Sequence, residues 1–180
     1  MPNPPLALPS PSIPYFALEE HTITWNEAIA TSRSHPRHRI MWPLQRHPTD
    51  TVQRLLNFIQ PPAYFPPHRH PTPHAVELIY LLQGSLSVFI FDDSGHILHH
   101  TRLSTASPLT ALADIDAGLW HTILAHAPDT VILEIKKGPY DPATDKIFAP
   151  WAPEETSPPQ SYLTYQDHLR QLATPPSTTS

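Results

Sequence analysis

Proline occupies 25 of the 180 positions, and this limits what the chain can build. Each proline removes a backbone donor and clashes with the preceding helical turn, so helices and ladders are confined to the stretches between prolines. The distribution is uneven. Six prolines fall in the first fourteen residues, MPNPPLALPSPSIP, and the last seven residues read TPPSTTS. Both ends are expected to be extended: a flexible proline-rich arm over 1–14 and a flexible tail over 174–180. The length suits one hydrophobic core, placed over 15–160 and followed by a helix over 161–173.

From residue 37 onward, short apolar runs alternate with turn chemistry such as Gln83-Gly84, Asp92-Asp93-Ser94-Gly95, Asp116-Ala117-Gly118 and Ala127-Pro128-Asp129. That rhythm predicts an all-β antiparallel barrel or sandwich. Strands are expected over 37–42, 51–59, 64–70, 75–82, 85–91, 97–103, 111–116, 121–126 and 131–137. The segment 51–59 is ambiguous, since Val52, Leu55, Leu56 and Ile59 also fall at helical spacing; its brevity and the following Pro61-Pro62 favour a strand. A short helix is expected over 25–32. A better one runs over 161–172, capped by Ser161, with Tyr162, Tyr165, Leu169 and Leu172 on the face that packs outside the barrel.

The formal charge of −5 disfavours a general binder of phosphate backbones, so no nucleic-acid partner is expected. No run approaches the roughly 18 apolar residues that span a bilayer, and the start lacks a signal-peptide pattern, so the default expectation is a cytoplasmic chain with no membrane partner. With no cysteine, any metal must rest on His, Asp or Glu. Thirteen histidines supply imidazole in quantity.

The sharpest feature is Pro67-His68-Arg69-His70, followed by Glu77 and Gly84 and, far downstream, Gly118-Leu119-Trp120-His121. Residues two apart on a strand share a face, so His68 and His70 can point into one cavity. A carboxylate from the next strand and a third imidazole from a later one would complete a 3-His/1-Glu site with coordination positions left open. Such donors suit one divalent transition metal, Fe, Mn, Ni, Co, Cu or Zn, rather than Mg or Ca. A His-x-His pair arises by chance about once in a chain this rich in histidine; the argument rests on the later Glu77, Gly84 and His121. His74 stands closer to the pair than Glu77, but Glu77 is preferred because it alternates in phase with Ile79 and Leu81.

These residues resemble the two signature motifs of the cupin superfamily, the first carried by His68, His70, Glu77 and Gly84, the second by Gly118 and His121. More narrowly, PPHRH, ELIYLLQGSLSVFIFDDSG, GLWHTILA, VQRLLN and above all EIKKGPYDPATDKIFAPWAPEE are similar to the WbuC-type cupin metalloproteins, over about residues 37–155. The resemblance implies a cupin-type, jelly-roll-like β-barrel holding one metal, often linked to surface-polysaccharide or sugar metabolism. The chain departs from the general pattern in its six residues between His70 and Glu77, in Asp116 where proline is usual, and in Ala125 where asparagine is frequent.

Candidate substrate-binding residues are Arg54, Asn57 and Tyr80; no catalytic residue is assigned. Arg54 and Asn57 face opposite ways on a strand, so at most one can line the cavity. Arg69 should point away from its histidine neighbours. Glu134, in an apolar strand, needs a partner such as Lys136. His99 and His100 split across two faces. The loop-rich segment 138–155 is expected to cross the barrel through Tyr140, Phe148 and Trp151, as a cover or a dimer contact. Two functional classes stay open: a metal-dependent enzyme on a small sugar or sugar-derived acid, of isomerase, epimerase or iron-dependent dioxygenase type, and a non-catalytic metal-dependent module for a saccharide or small carboxylate. A homodimer is compatible with either.

Overall fold

The computed structural model describes residues 6–10, 16–106 and 108–173, apart from the side chain of Leu109. After a 3₁₀ turn, Leu18–His21, come α1 (Thr22–Ser34), β1 (Arg39–Pro43), β2 (Val52–Ile59), β3 (His68–Arg69), β4 (Glu77–Gln83), β5 (Ser85–Phe91), β6 (Ile97–Ser104), β7 (Leu112–Ile115), β8 (Trp120–Ala125), β9 (Thr130–Lys137), β10 (Ile147–Phe148) and α2 (Pro159–Ala173). The strands form two antiparallel five-stranded sheets, ordered β1-β2-β9-β4-β7 and β10-β3-β8-β5-β6. Without β1 and β10, which extend one edge of each sheet, the remaining eight strands follow the double Greek key of a jelly roll. The fold is therefore the expected all-β, cupin-type one.

Three layers of apolar side chains hold it together. Ile59, Ile79, Leu81, Leu86, Val88, Leu103 and Ile132 fill the space between the sheets. On the outside of the first sheet, Leu56, Phe58, Ile40 and Trp42 take Ala28 and Ile29 of α1. On the outside of the second, Phe89, Phe91, Trp120 and Leu124 take Leu169 and Ala173 of α2, with Trp151 packed alongside. Alternation explains this division: in β8, Trp120, Thr122 and Leu124 face out while His121, Ile123 and Ala125 face in. Burial of both faces of β2 makes it a strand and explains its helix-like apolar spacing, because Leu56 and Phe58 serve α1 while Asn57 and Ile59 face inward.

Several boundaries differ from the sequence expectation. The strand expected over 64–70 shrinks to His68–Arg69, because Pro66 and Pro67 have no N–H to offer a ladder. The strand over 75–82 begins at Glu77, after His74 turns the chain at φ 60°. α1 is longer than 25–32, and its packing on β1 and β2 supplies what its weakly patterned sequence lacks. β10 has no counterpart in the sequence reading; it is two residues long and exists by pairing with β3. Within the expected arm, residues 6–8 pair with β1: Leu8 N donates to Met41 O and Met41 N to Leu6 O, both at 2.8 Å. Leu6, Ala7 and Leu8 keep their N–H groups, so a bridge can form between the flanking prolines. The rest of the arm, 1–5 and 11–14, and the tail lie outside the described residues. No described helix is long and apolar enough to cross a membrane.

Candidate metal centre

Along each inward face the side chains change from apolar to polar toward the same end of the barrel. β4 runs Leu81, Ile79, Glu77; β9 runs Ile132, Glu134, Lys136; β8 runs Ala125, Ile123, His121. Cross-strand register then places Glu77 beside Lys136 and His68 beside His121. Gly84 sets the register between β4 and β5. Its φ is +85°, and a Cβ there would lie 2.9 Å from the Thr130 backbone, so only glycine fits.

One ligating atom from each of His68, His70, Glu77 and His121 lies within 4.8 Å of the others, and all four side chains are buried. The orientation of the imidazoles carries the chemical information. His68 Nδ1 donates to Pro66 O at 2.9 Å, His70 Nδ1 to Asp145 O at 2.5 Å, and His121 Nδ1 to Leu119 O at 2.9 Å. A carbonyl can only accept, so each Nδ1 carries a hydrogen and each Nε2 of a neutral ring presents a lone pair. Two of those lone pairs meet a carboxylate oxygen: Glu77 Oε2 lies 2.8 Å from His70 Nε2 and 3.2 Å from His121 Nε2. Acceptors facing acceptors at such distances need a cation between them, either a proton or a metal ion. Hydrogen bonding of the far nitrogen to a carbonyl is also the usual way a ligating histidine is oriented.

The protonation energetics follow the same logic. Burial, then the charges of His121 and Lys146, hold the His68 imidazole well below its ordinary value, so it is neutral and able to ligate. Burial also works against charge on His121, but the hydrogen bond and charge of Glu77 outweigh it and raise the imidazole. Burial opposes ionisation of Glu77, yet the hydrogen bonds that His121 and His70 donate once their Nε2 atoms are protonated keep its carboxyl well below the carboxylate range. Glu134 is raised by burial and by the charge of Glu77, against the pull of Lys136. Asn57 Nδ2 donates to Glu134 Oε2 at 3.1 Å, while Lys136 Nζ lies 3.8 Å from Glu134 Oε1 and donates to Asp145 at 2.8 and 3.0 Å.

The cluster opens onto a cavity of about 520 Å³. Asn57 lines it; Arg54 does not, and stands 3.4 Å from Asp50 at the surface. Tyr80 is partly exposed on β4 and also lies away from the cavity. Arg69 points outward, its guanidinium 4.4 Å from the Trp120 ring centre. His74 lies on an exposed turn, outside the cluster. Residues 138–155 do reach the cavity: Tyr140 and Phe148 line it, while Trp151 packs with Phe91 and Trp120 in the outer layer. Sequence reasoning missed Asp145, whose carbonyl orients His70, and Lys146 and Glu155, which face the cavity. Their only signal was their place in the distinctive segment ending DKIFAPWAPEE.

An eight-stranded jelly roll with a buried 3-His/1-Glu cluster on its inner strands is the architecture that the sequence resemblance to cupins implies. The model of one protein family, described as a domain of unknown function (DUF6016), matches residues 21–103, a span that includes His68, His70 and Glu77 but not His121. No curated protein gives a significant match. Among solved structures, the chain is similar to oxalate decarboxylase from Bacillus subtilis, at 19% identity over 61% of this chain and 27% of that chain with a TM-score of 0.47. It is also similar to oxalate decarboxylase from Lactobacillus farciminis in a formate complex, at 24% identity over 67% of this chain and 32% of that chain with a TM-score of 0.45. A further structure of the Bacillus subtilis enzyme, described as having Mn(II) centres, matches at 19% identity over 55% of this chain and 24% of that chain with a TM-score of 0.44. The chain thus spans only about a quarter to a third of the length of these proteins, and the reading of the site rests on its own geometry.

Proposed function

We propose that the chain is a metalloprotein that holds one divalent transition metal on His68, His70, Glu77 and His121 and acts on a small polar molecule in the adjoining cavity. The observation that carries this is the convergence of lone pairs: Nδ1–H groups tied back to carbonyls, Nε2 atoms turned inward, and a carboxylate oxygen between two of them. Bound there, a metal of this kind supplies a Lewis acid at a substrate carbonyl or hydroxyl, or oxygen activation in the case of iron. Asn57 and Lys136 hold the Glu134 carboxylate at the cavity wall, where it can take up or return a proton. The resemblance to WbuC-type cupins supports a sugar or sugar-derived substrate and a role in carbohydrate metabolism.

Elemental analysis of purified protein tests the first half of the proposal. Wild type should carry close to one metal per chain and His68→Ala and His121→Ala far less; equal content in all three refutes the site. Activity on a panel of sugars and sugar acids after reconstitution tests the second half. Turnover with Mn, Ni or Zn indicates isomerase-type chemistry, and oxygen uptake restored only by Fe indicates a dioxygenase. A ligand that stabilises the loaded protein and is recovered unchanged indicates a binding module.

A further inference from the structure

The charges around the cavity fall into two clusters: Arg37 and Arg39 on the single carboxylate of Glu155, and Lys136 and Lys146 with Asp145 and, 3.8 Å from Lys136, Glu134. Arg37 makes a bidentate pair with Glu155, and Arg39, almost fully buried, adds a contact to the same carboxylate at 2.8 Å. Lys136 takes both oxygens of Asp145, at 2.8 and 3.0 Å, which leaves Lys146 at 3.8 Å from Asp145 Oδ2, beyond hydrogen-bond reach. Lys146 lines the same cavity as His68, Glu77 and His121, and its side chain is about one-third exposed, 35%. Of the four lining carboxylates, Glu77 is a metal ligand, so Glu134, Asp145 and Glu155 remain against Arg37, Arg39, Lys136 and Lys146. Imidazoles that ligate a metal do so as neutral donors and add no charge. A divalent ion on Glu77 leaves one positive charge, and the four cations against three carboxylates leave another.

We infer that the natural ligand of this cavity is an anionic organic acid rather than a neutral sugar, with Lys146 beside the metal-binding cluster and the Arg37–Arg39 pair as its charge-recognising groups. The inference rests on the metalloprotein reading and narrows its substrate class. A neutral ligand would leave two like charges uncompensated in a partly enclosed space, where electrostatic interactions are stronger than in water. The two clusters supply the compensating contacts. Lys146 has an ammonium without a hydrogen bond among the described residues, and the guanidiniums of Arg37 and Arg39 outnumber the carboxylate they share. Carboxylates and phosphate monoesters offer the same recognition chemistry, and matched compounds distinguish them.

The test uses the full chain loaded with Zn(II), with metal content measured on every sample. Calorimetric titration and thermal shift compare D-gluconate and D-glucarate with D-glucitol, and D-glucose 6-phosphate with D-glucose, at low salt and in 0.5 M NaCl. The expected result is binding of one or more acids, no binding of the neutral partners, weakening by salt, and affinity roughly 10-fold lower in Lys146→Met and in Arg37→Met. Binding by gluconate or glucarate alone assigns a carboxylate; binding by the phosphate alone assigns a phosphate ester. Neutral partners binding as tightly as the acids, no binding by any acid, or unchanged affinity in both variants overturns the inference. Failure of the metal reading is separately visible as wild type without zinc. In that case, acid binding that still falls in Lys146→Met supports the charge assignment, and its absence overturns it.

Discussion

Replacing Glu77 by glutamine should separate the two demands placed on that position. In wild type, Oε2 sits 2.8 and 3.2 Å from the Nε2 atoms of His70 and His121, and at pH 8, with metal removed by a chelator, few protons are available to reconcile these acceptors. A glutamine amide turned the same way presents N–H donors to both rings. At about 0.5–1.5 kcal/mol for each hydrogen bond, the metal-free variant should be roughly 1–3 kcal/mol more stable than metal-free wild type. For a chain of 180 residues that is a rise in melting temperature of about 3–9 °C. Metal should reverse the order. Wild type at a free metal concentration 1,000 times its Kd gains about 4 kcal/mol, whereas the variant loses an anionic ligand and gains little. Lowering the pH should also favour wild type, because Glu77 raises the His121 imidazole. A raised pKa contributes stability that is full below the unfolded value near 6.5 and is lost as pH rises through the folded value. Calorimetric melts of both proteins, with and without metal, at pH 5.5 and pH 8 measure all of this. A metal-free variant less stable than metal-free wild type at pH 8 would refute the reasoning.

Acid should also act at a second place. His126, bonded to Ser87 at 2.7 Å, is lowered to about 4 by burial and then by the charges of Arg102 and Arg170; a depressed imidazole costs stability as pH falls from about 6.5 through 4. His126→Gln should therefore gain about 1 kcal/mol over wild type at pH 4.5 and nothing at pH 8, a figure reduced for its half-exposed position and readable by urea titration. Ile132→Ala, at a fully buried position between the sheets, should cost about 2–5 kcal/mol without changing metal content per folded chain. Gly84→Ala forces a side chain into a left-handed backbone against Thr130 and should destabilise by more than about 1 kcal/mol; a melting temperature equal to wild type would show that the turn can relax.

Local pattern carried much of this architecture. Alternation marked Glu77, Ile79 and Leu81 as one face of a strand, and the turn residues marked most strand boundaries within a few positions. The cluster of His68, His70, Glu77 and His121 was legible because two-residue periodicity and a glycine turn are local properties. Arg54 and Asn57 were equivalent in sequence terms; only the pairing of β2 with β9 turned Asn57 to Glu134 and left Arg54 beside Asp50.

The amino-acid order determined, by itself, that strands would dominate and that three imidazoles and a carboxylate would lie on inward-facing positions. Those are consequences of proline chemistry and of strand periodicity, which act over a few residues. Tertiary structure alone decided which lone pairs meet, that Asp145 orients His70, and that Lys146 and the Arg37–Arg39 pair share one cavity. Those contacts join residues up to 118 positions apart, and no local rule specifies a distance that only sheet pairing and the return of 138–155 to the cavity bring about.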